Sequence, residues 1–377
     1  MWIKNGFILN DSFQFIRADL EIENSKIASI GNCYEQGYLD ATDCYVVPGF
    51  IDTHMHGAMG KTFIDFDDDT AEIIAKFEAR NGTTSLVPTL SAARPEKLMT
   101  CVEHLCQCAE KQPNEDCATI RGMHLEGPFF SPYYQGAHLL ENIRKPDVSE
   151  LESLLKTGKG NVKILTMAPE LPGADDVITL AVQNGVRVST GHTNATFSEM
   201  QHSFSVGVTQ GTHLFNAMRP LNHREPGTVG ALLSEQGVRC ELICDFVHVH
   251  PEVIQFVYHL KGKENINIIT DSEVATGMPD GEYIVNGRKL IVENNRTITE
   301  DGTIAGGTSC MLDGVRNLVS IGIPLEDACM MASKNPALSV GIYQETGSLM
   351  PGKTADVLIL DKKLCLQHVL LRGKLLF

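Results

Sequence analysis

Pro48-Gly49-Phe50-Ile51-Asp52-Thr53-His54-Met55-His56-Gly57 is the stretch from which the fold is read. An apolar run, Tyr45 to Ile51, leads into two histidines one residue apart. On a strand, residues i and i+2 face the same way. His54 and His56 therefore turn both imidazoles toward one point, and neutral imidazole ligates zinc and other late divalent metals. An isolated His-x-His also occurs in ordinary turns, so the rest of the chain has to decide between the two readings.

Eight strand-like segments follow one another between residues 49 and 344: Gly49–Thr53, Thr83–Val87, Ile120–Leu125, Val162–Met167, Val186–Thr190, Val208–Thr212, Cys240–Cys244 and Ile266–Thr270. Amphipathic stretches separate them, at Thr70–Arg80, Pro95–Lys111, Ser149–Lys156, Ala174–Asn184, Thr196–Val206 and Pro251–Lys261. Strands alternating with helices to a count of eight predict a (β/α)₈ TIM barrel of the α/β class, which needs about 250 residues. A doubly wound open sheet normally carries Gly-x-Gly-x-x-Gly after its first strand, and none stands here. The ends have another texture. Residues 1–48 and 345–377 read as short strands and turns, too few on either side for a core. They are expected to join as one small β-sandwich domain beside a catalytic barrel of residues 49–344.

Glu282 to Val292 interrupts the rhythm as a hairpin around Asn286-Gly287, and the last helix is expected to begin near Met311. Gly347-Ser348-Leu349-Met350-Pro351-Gly352-Lys353-Thr354 fits the spacing of a P-loop. It leads into the strand Ala355 to Leu360 rather than a helix, and Pro351 lacks an amide donor, which argues against phosphate binding there.

The formal net charge of −16 argues against nucleic acid and anionic membranes as partners, while leaving room for a small anion held by a few local cations. No stretch approaches the roughly 20 apolar residues of a membrane span, and Met1 to Gly6 does not read as a secretory signal. Eleven unpatterned cysteines in a long chain fit a reducing cytoplasm better than a disulfide framework.

Barrels of this kind keep their chemistry at the C-terminal ends of the strands. Strand one supplies His54 and His56, strand three Glu126, strand five His192 and strand six His213. Strand seven supplies Asp245 and His248, and strand eight Asp271. Ligand-type residues at so many matching positions predict a metal centre. A cation held by Glu126, His192 and His213 keeps a position for water and lowers its pKa from about 15.7 towards ~7. Glu126 can bridge to a second ion on His54 and His56. Asp271 is placed to take the water's proton and pass it to a leaving group. Asn216, Ala217 and Arg224 offer amides and a guanidinium for a phosphate-type anion; the alternative for Arg224 is a surface ion pair.

Pro48 to Gly57 resembles the opening motif of the amidohydrolase superfamily. A longer set is similar to its N-acetylglucosamine-6-phosphate deacetylases: His124-Leu125-Glu126-Gly127-Pro128-Phe129, Gly136-Ala137-His138, Gly191-His192-Thr193-Asn194-Ala195-Thr196, Thr212 to Met218, Arg224-Glu225-Pro226-Gly227, Thr270-Asp271, Ile304-Ala305-Gly306 and Gly347 to Asp356. The resemblance spans the chain and implies hydrolysis of the acetamido group of a 6-phosphorylated amino sugar. It implies Glu126, His192 and His213 as metal ligands and Asp271 as acid/base. His138 is implied to polarise the amide carbonyl and touch substrate. Asn216, Ala217 and Arg224 are implied near the phosphate, and Ala137, His248, Ile304, Ala305 and Gly306 at the substrate. It further implies one or two divalent ions (zinc, or else iron, nickel or cobalt) and a homodimer whose neighbouring subunit completes the phosphate pocket.

Phe246 stands where the family pattern has Gly, and Ser272 where it has Ala, which bears on the sugar epimer. The competing expectations are the galactosamine epimer, a cyclic amidase, and an inactive sugar-phosphate-binding scaffold. A cyclic amidase needs a bridging lysine on strand four, where Lys163 lies at the wrong end. A scaffold predicts lost ligands, and none is lost.

Overall fold

The computed structural model describes residues 1–32, 38–111, 114–285, 288–293, 296–300 and 302–377. Its centre is a parallel barrel of Phe50–Met55, Thr83–Ser91, Met123–Glu126, Val162–Met167, Arg187–Thr190, Val208–Gly211, Arg239–Ile243 and Ile266–Ile269, paired in that order. Strand one meets strand eight through Asp271 N–H on the carbonyl of His54 (2.9 Å) and His56 N–H on that of Ser272 (2.8 Å). Most of these strands are buried along nearly their whole length, as parallel strands packed on both faces must be.

Helices at Thr70–Arg80, Pro95–Lys111 and Pro251–Lys261 have the expected bounds; a helix does begin at Met311, but it is not the last, since Leu325–Ala332 and Lys334–Ser339 follow it. Others shift by a residue or two where caps decide the start. Asp147 accepts from Glu150 N–H at 3.0 Å, opening Val148–Gly158, and Thr196 forms a capping box with Glu199, opening Phe197–Val206.

Most strands shift by a residue or two, strand one to Phe50–Met55 so that it includes His54, and two differ by more. Strand two runs on past the expected Val87 to Ser91, and Pro88 within it sits opposite Met55 at a register shift where its missing N–H is tolerated. Strand three is broken into Thr119–Ile120 and Met123–Glu126, with Gly122 at φ +132° between them.

Both chain ends enter one eight-stranded sheet. Five strands come from Trp2 to Pro48 and three from Val357 to Leu375. Tyr45–Pro48 pairs antiparallel with Val357–Leu360. Alternation decides its two faces: Val46, Val357 and Ile359 enter a core of the sheet's own, while Val47, Leu358 and Leu360 join the main core. The P-loop look-alike belongs to this region. Lys353 is buried, bonds Ser348 Oγ at 2.8 Å and lies 3.2 Å over the ring of Tyr343, so its ammonium is engaged within the fold.

The insertion is a three-stranded antiparallel sheet, Gly281–Val285, Arg288–Glu293 and Arg296–Thr299, one strand more than the expected hairpin. The Asn286-Gly287 turn lies outside the described residues. No helix among the described residues is long and apolar enough to cross a membrane.

Candidate metal centre and active site

The strand ends converge on Glu126. Its Oε1 lies 3.1 Å from His192 Nε2 and 3.1 Å from His213 Nε2, and those two nitrogens are 3.2 Å apart. Donors around a tetrahedral ion with bonds near 2.0–2.1 Å stand about 3.3 Å from one another. The three atoms therefore already have the spacing of a metal face. The other oxygen, Oε2, lies 3.2 Å from His56 Nε2 and 3.2 Å from His138 Nε2. His54, His56 and Glu126 form a second donor set, and Asp271 Oδ1 stands beside it, 3.4 Å from His54 Nε2 and 3.3 Å from His56 Nε2.

Hydrogen bonds on the far side of the His192, His54 and His56 rings decide which nitrogen faces inward, whereas the buried Nδ1 of His213 has no partner among the described residues. His192 Nδ1 lies 3.0 Å from the carbonyl of Tyr134, which can only accept, so the neutral ring keeps its proton there and turns the Nε2 lone pair toward Glu126. His54 Nδ1 faces Glu241 Oε2 at 2.9 Å in a pair with no solvent exposure, again leaving Nε2 as donor atom. His56 Nδ1 meets Ser91 Oγ at 2.9 Å. Lone pairs aimed at each other and at a carboxylate repel, and a divalent cation relieves that repulsion. The donor set fits one.

Backbone strain collects at the same places. His192, His213, Ala217, Phe246 and Asp271 all have positive φ without being glycine, a conformation that persists only where surrounding contacts enforce it.

Burial opposes charge throughout, and the partners decide the outcome. Burial pushes His192 down to about 4 despite Glu126. It also opposes His56, but hydrogen bonds to Asp271 and Glu126 carry that ring up to about 10. Burial would raise Asp271, yet His54, His56 and His213 hold it below the carboxylate range, so it stands ionised as a base. Burial raises Glu273 to about 7, with Asp271 and Glu126 adding to the rise against His56.

The donors open onto a cavity of about 730 Å³. His56, Glu126, His138, His192, His213 and Asp271 form its floor, while His54 is buried beneath. Ala137, Asn216, Ala217, His248, Ile304, Ala305 and Gly306 stand in its wall. His248 is oriented by Asp245, Nδ1 to Oδ2 2.7 Å. Arg224 is not in that wall. It is exposed, and its guanidinium makes no ion pair among the described residues. The wall contains no lysine or arginine among the described residues.

The strand-end reading passed over Ser91, Tyr134, Glu241 and Glu273. Glu241 had a signal, a carboxylate inside the apolar run Cys240 to Cys244. Tyr134 acts through its carbonyl, which side-chain identity does not reveal.

The model of the amidohydrolase family matches residues 45–376. An N-acetylglucosamine-6-phosphate deacetylase of Lysinibacillus sphaericus is 34% identical over 378 residues, covering 99% of this chain and 97% of the relative. An N-acetylgalactosamine-6-phosphate deacetylase of Escherichia coli O157:H7 is 36% identical over 330 residues, covering 87% and 86%. Among solved structures, a mutant N-acetyl-D-glucosamine-6-phosphate deacetylase of Mycobacterium smegmatis in complex with N-acetyl-D-glucosamine 6-phosphate aligns with a TM-score of 0.94 at 34% identity, over 100% of this chain and 99% of that one. Matched over most or all of its length by the family model, by the relatives and by the solved structures, the chain belongs to the amidohydrolase family, in the branch of the N-acetylglucosamine-6-phosphate deacetylases.

Proposed function

We propose that this chain hydrolyses N-acetylglucosamine 6-phosphate to glucosamine 6-phosphate and acetate. The observation that carries the reading is the meeting of Glu126, His192 and His213 at metal-ligand spacing on the floor of a cavity that Asp271 and His138 also face. The full-length similarity to deacetylases of this substrate supports it.

On this reading Glu126, His192 and His213 hold a divalent ion, for which we propose zinc, with iron, nickel or cobalt as alternatives. His54 and His56, together with Glu126, would hold a second ion. Bound there, such an ion acidifies water and polarises a carbonyl. Asp271, ionised and with its Oδ1 turned to the same floor, accepts the proton of the attacking water and delivers it to the departing nitrogen. His138, 3.2 Å from Glu126 Oε2, donates to the carbonyl oxygen as negative charge develops there. Ala137, His248 and the Ile304-Ala305-Gly306 loop hold the sugar, and Asn216 and Ala217 approach the phosphate.

A dianionic substrate in a wall without lysine or arginine needs a cation from elsewhere. We assign it to the partner subunit's Arg224 in a homodimer, which accords with the exposure of that residue and its absence from the cavity wall of its own chain. Residues 1–48 and 345–377 act as the supporting β unit and 49–344 as the catalytic one. The ten described cysteines are unpaired, in keeping with a cytoplasmic location.

The test is acetate release from the gluco and galacto epimers of the acetamido-sugar 6-phosphate after reconstitution with defined Zn²⁺ or Fe²⁺. The 36% identical galactosamine relative makes the second epimer the necessary comparison. The expected result is release with preference for the gluco sugar. No release from either overturns the proposal. Sedimentation as a monomer at micromolar concentration would overturn the shared phosphate pocket.

A further inference from the structure

Glu273 stands in the cavity wall two residues past Asp271, and the reaction above makes no use of it. Its position is fixed by the backbone around it. Glu273 N–H donates to Gly307 O at 3.1 Å, and Gly307 N–H donates to Asp271 O at 2.6 Å, so the two acids are laced to the same short segment. Gly306, at φ +72°, leaves the space in which the side chain lies: a Cβ there would come within 2.5 Å of Glu273 Cγ and 2.7 Å of Asp271 O. The stem of the Glu273 side chain is thus laid over Gly306, on the segment that also carries the backbone carbonyl of Asp271, and the residue lines the same cavity as Asp271. Among the described residues the carboxylate's one hydrogen bond is from Val274 N–H, at 3.2 Å to Oε2. No lysine or arginine lines this wall to balance it.

We propose that Glu273 is the counter-charge for the amine product. The inference rests on the deacetylase reading. The reaction is R–NH–CO–CH₃ + H₂O → R–NH₃⁺ + CH₃–COO⁻. The carbon–nitrogen bond breaks, a carbon–oxygen bond forms, and the water's protons end on the nitrogen. A neutral amide enters and an ammonium leaves. Asp271 hands a proton to that nitrogen, so positive charge appears next to the wall that Glu273 occupies. A carboxylate there favours the cationic product over the neutral substrate, because only the product offers it a charge-assisted hydrogen bond. Glu273 is therefore a residue that sets how strongly the enzyme retains its product, and the charge of the 2-substituent is what it reads.

The experiment uses the zinc-reconstituted enzyme. KM for N-acetylglucosamine 6-phosphate and the competitive Ki of glucosamine 6-phosphate are measured for the wild type, Glu273→Gln and Glu273→Asp. Glu273→Gln is expected to raise the ratio Ki/KM about tenfold, the lower range for a hydrogen bond to a charged group. Glu273→Asp, which keeps the charge, is expected to recover most of that. A purely structural contribution would move KM and Ki together. A ratio that changes less than threefold in Glu273→Gln overturns the assignment; a larger rise supports it. Glu273→Met serves as the neutral variant if the glutamine form does not fold. Should the wild type release no acetate, the deacetylase reading fails by itself. The same ratio, taken from calorimetric Kd values for the two sugars, still decides whether Glu273 binds the amine.

Discussion

Replacing Glu241 by Gln separates the two halves of the metal centre. The Glu241 carboxylate takes three donors: His54 Nδ1 at 2.9 Å and His213 N–H at 3.4 Å on Oε2, and Gln210 Nε2 at 2.7 Å on Oε1. Glu241, His54 and Gln210 have no solvent exposure. A glutamine there keeps one oxygen, which can stay on His54 and His213, and turns an NH₂ toward the NH₂ of Gln210. Gln210 can rotate its amide to present Oε1, which has no partner in the native arrangement. One orphaned acceptor is exchanged for one orphaned donor. The stability cost is then chiefly the lost charge assistance on His54, about 1–2 kcal/mol. The effect on the ring is more specific. Without an anion opposite Nδ1, the Nε2 lone pair is a weaker donor, and changes to such outer partners lower metal affinity by roughly 10- to 100-fold. Glu241 touches the Glu126, His192 and His213 set only through a backbone amide of His213. Calorimetric titration of metal-free protein with Zn²⁺ should therefore show one binding event weakened and the other retained, with a small shift of the urea midpoint. Two events weakened equally, or neither, would refute the division into a Glu126–His192–His213 site and a His54–His56 site.

Asp271→Asn should keep its metal content but lose about 10²- to 10⁴-fold in acetate release, the usual range for a positioned acid/base; near-normal turnover would remove Asp271 from that role. Gly306→Ala should lower the unfolding midpoint by the equivalent of about 2–5 kcal/mol. This sums a left-handed backbone penalty of about 1–2 kcal/mol with overpacking of about 1–3, and turnover should fall as Glu273 and Asp271 are displaced. An unchanged midpoint and rate would contradict the packing at that loop. Away from the cavity, burial lifts the fully buried Glu78 to about 8, with Asp52 and Asp313 adding to the rise. It folds neutral, whereas the unfolded chain ionises it above roughly pH 4.5, so the unfolded state binds fewer protons in between. Stability contributed by this group is present below that value and is lost at about 1.4 kcal/mol per pH unit as pH rises towards 8. Urea unfolding should accordingly show the advantage of Glu78→Gln over the wild type growing between pH 5 and pH 8, and a pH-independent difference would show that Glu78 is not the cause.

What the sequence made legible follows from where rare side chains stand. His54, Glu126, His192, His213 and Asp271 end strands whose starts are marked by apolar runs, and the eight-fold rhythm is long enough to survive single errors in strand length. The polar layer beneath them was harder to see. Parallel strands are buried on both faces, so the alternation that marks an inner face elsewhere is absent. The parity of the strand ends nonetheless reaches one layer further. Stepping back two residues from His54, Glu126 and Thr212 gives Asp52, His124 and Gln210, and each is buried and polar. These join a hydrogen-bonded plug: Thr270 Oγ1 to Asp52 Oδ2 2.5 Å, His124 Nε2 to Thr166 Oγ1 2.7 Å, Thr166 to Thr212 2.7 Å, and Gln210 to Glu241 to His54. A barrel core filled only with aliphatic side chains would be drier, but it would leave the far nitrogen of His54 without an acceptor and its ring free to turn. The plug gives up some apolar packing to hold that ring in a single orientation, which is the condition for the metal-ligand spacing found above it. The rest was out of reach for a plain reason. Tyr134 and Gly306 work through a carbonyl and through the absence of a side chain, and neither has a residue type that announces it.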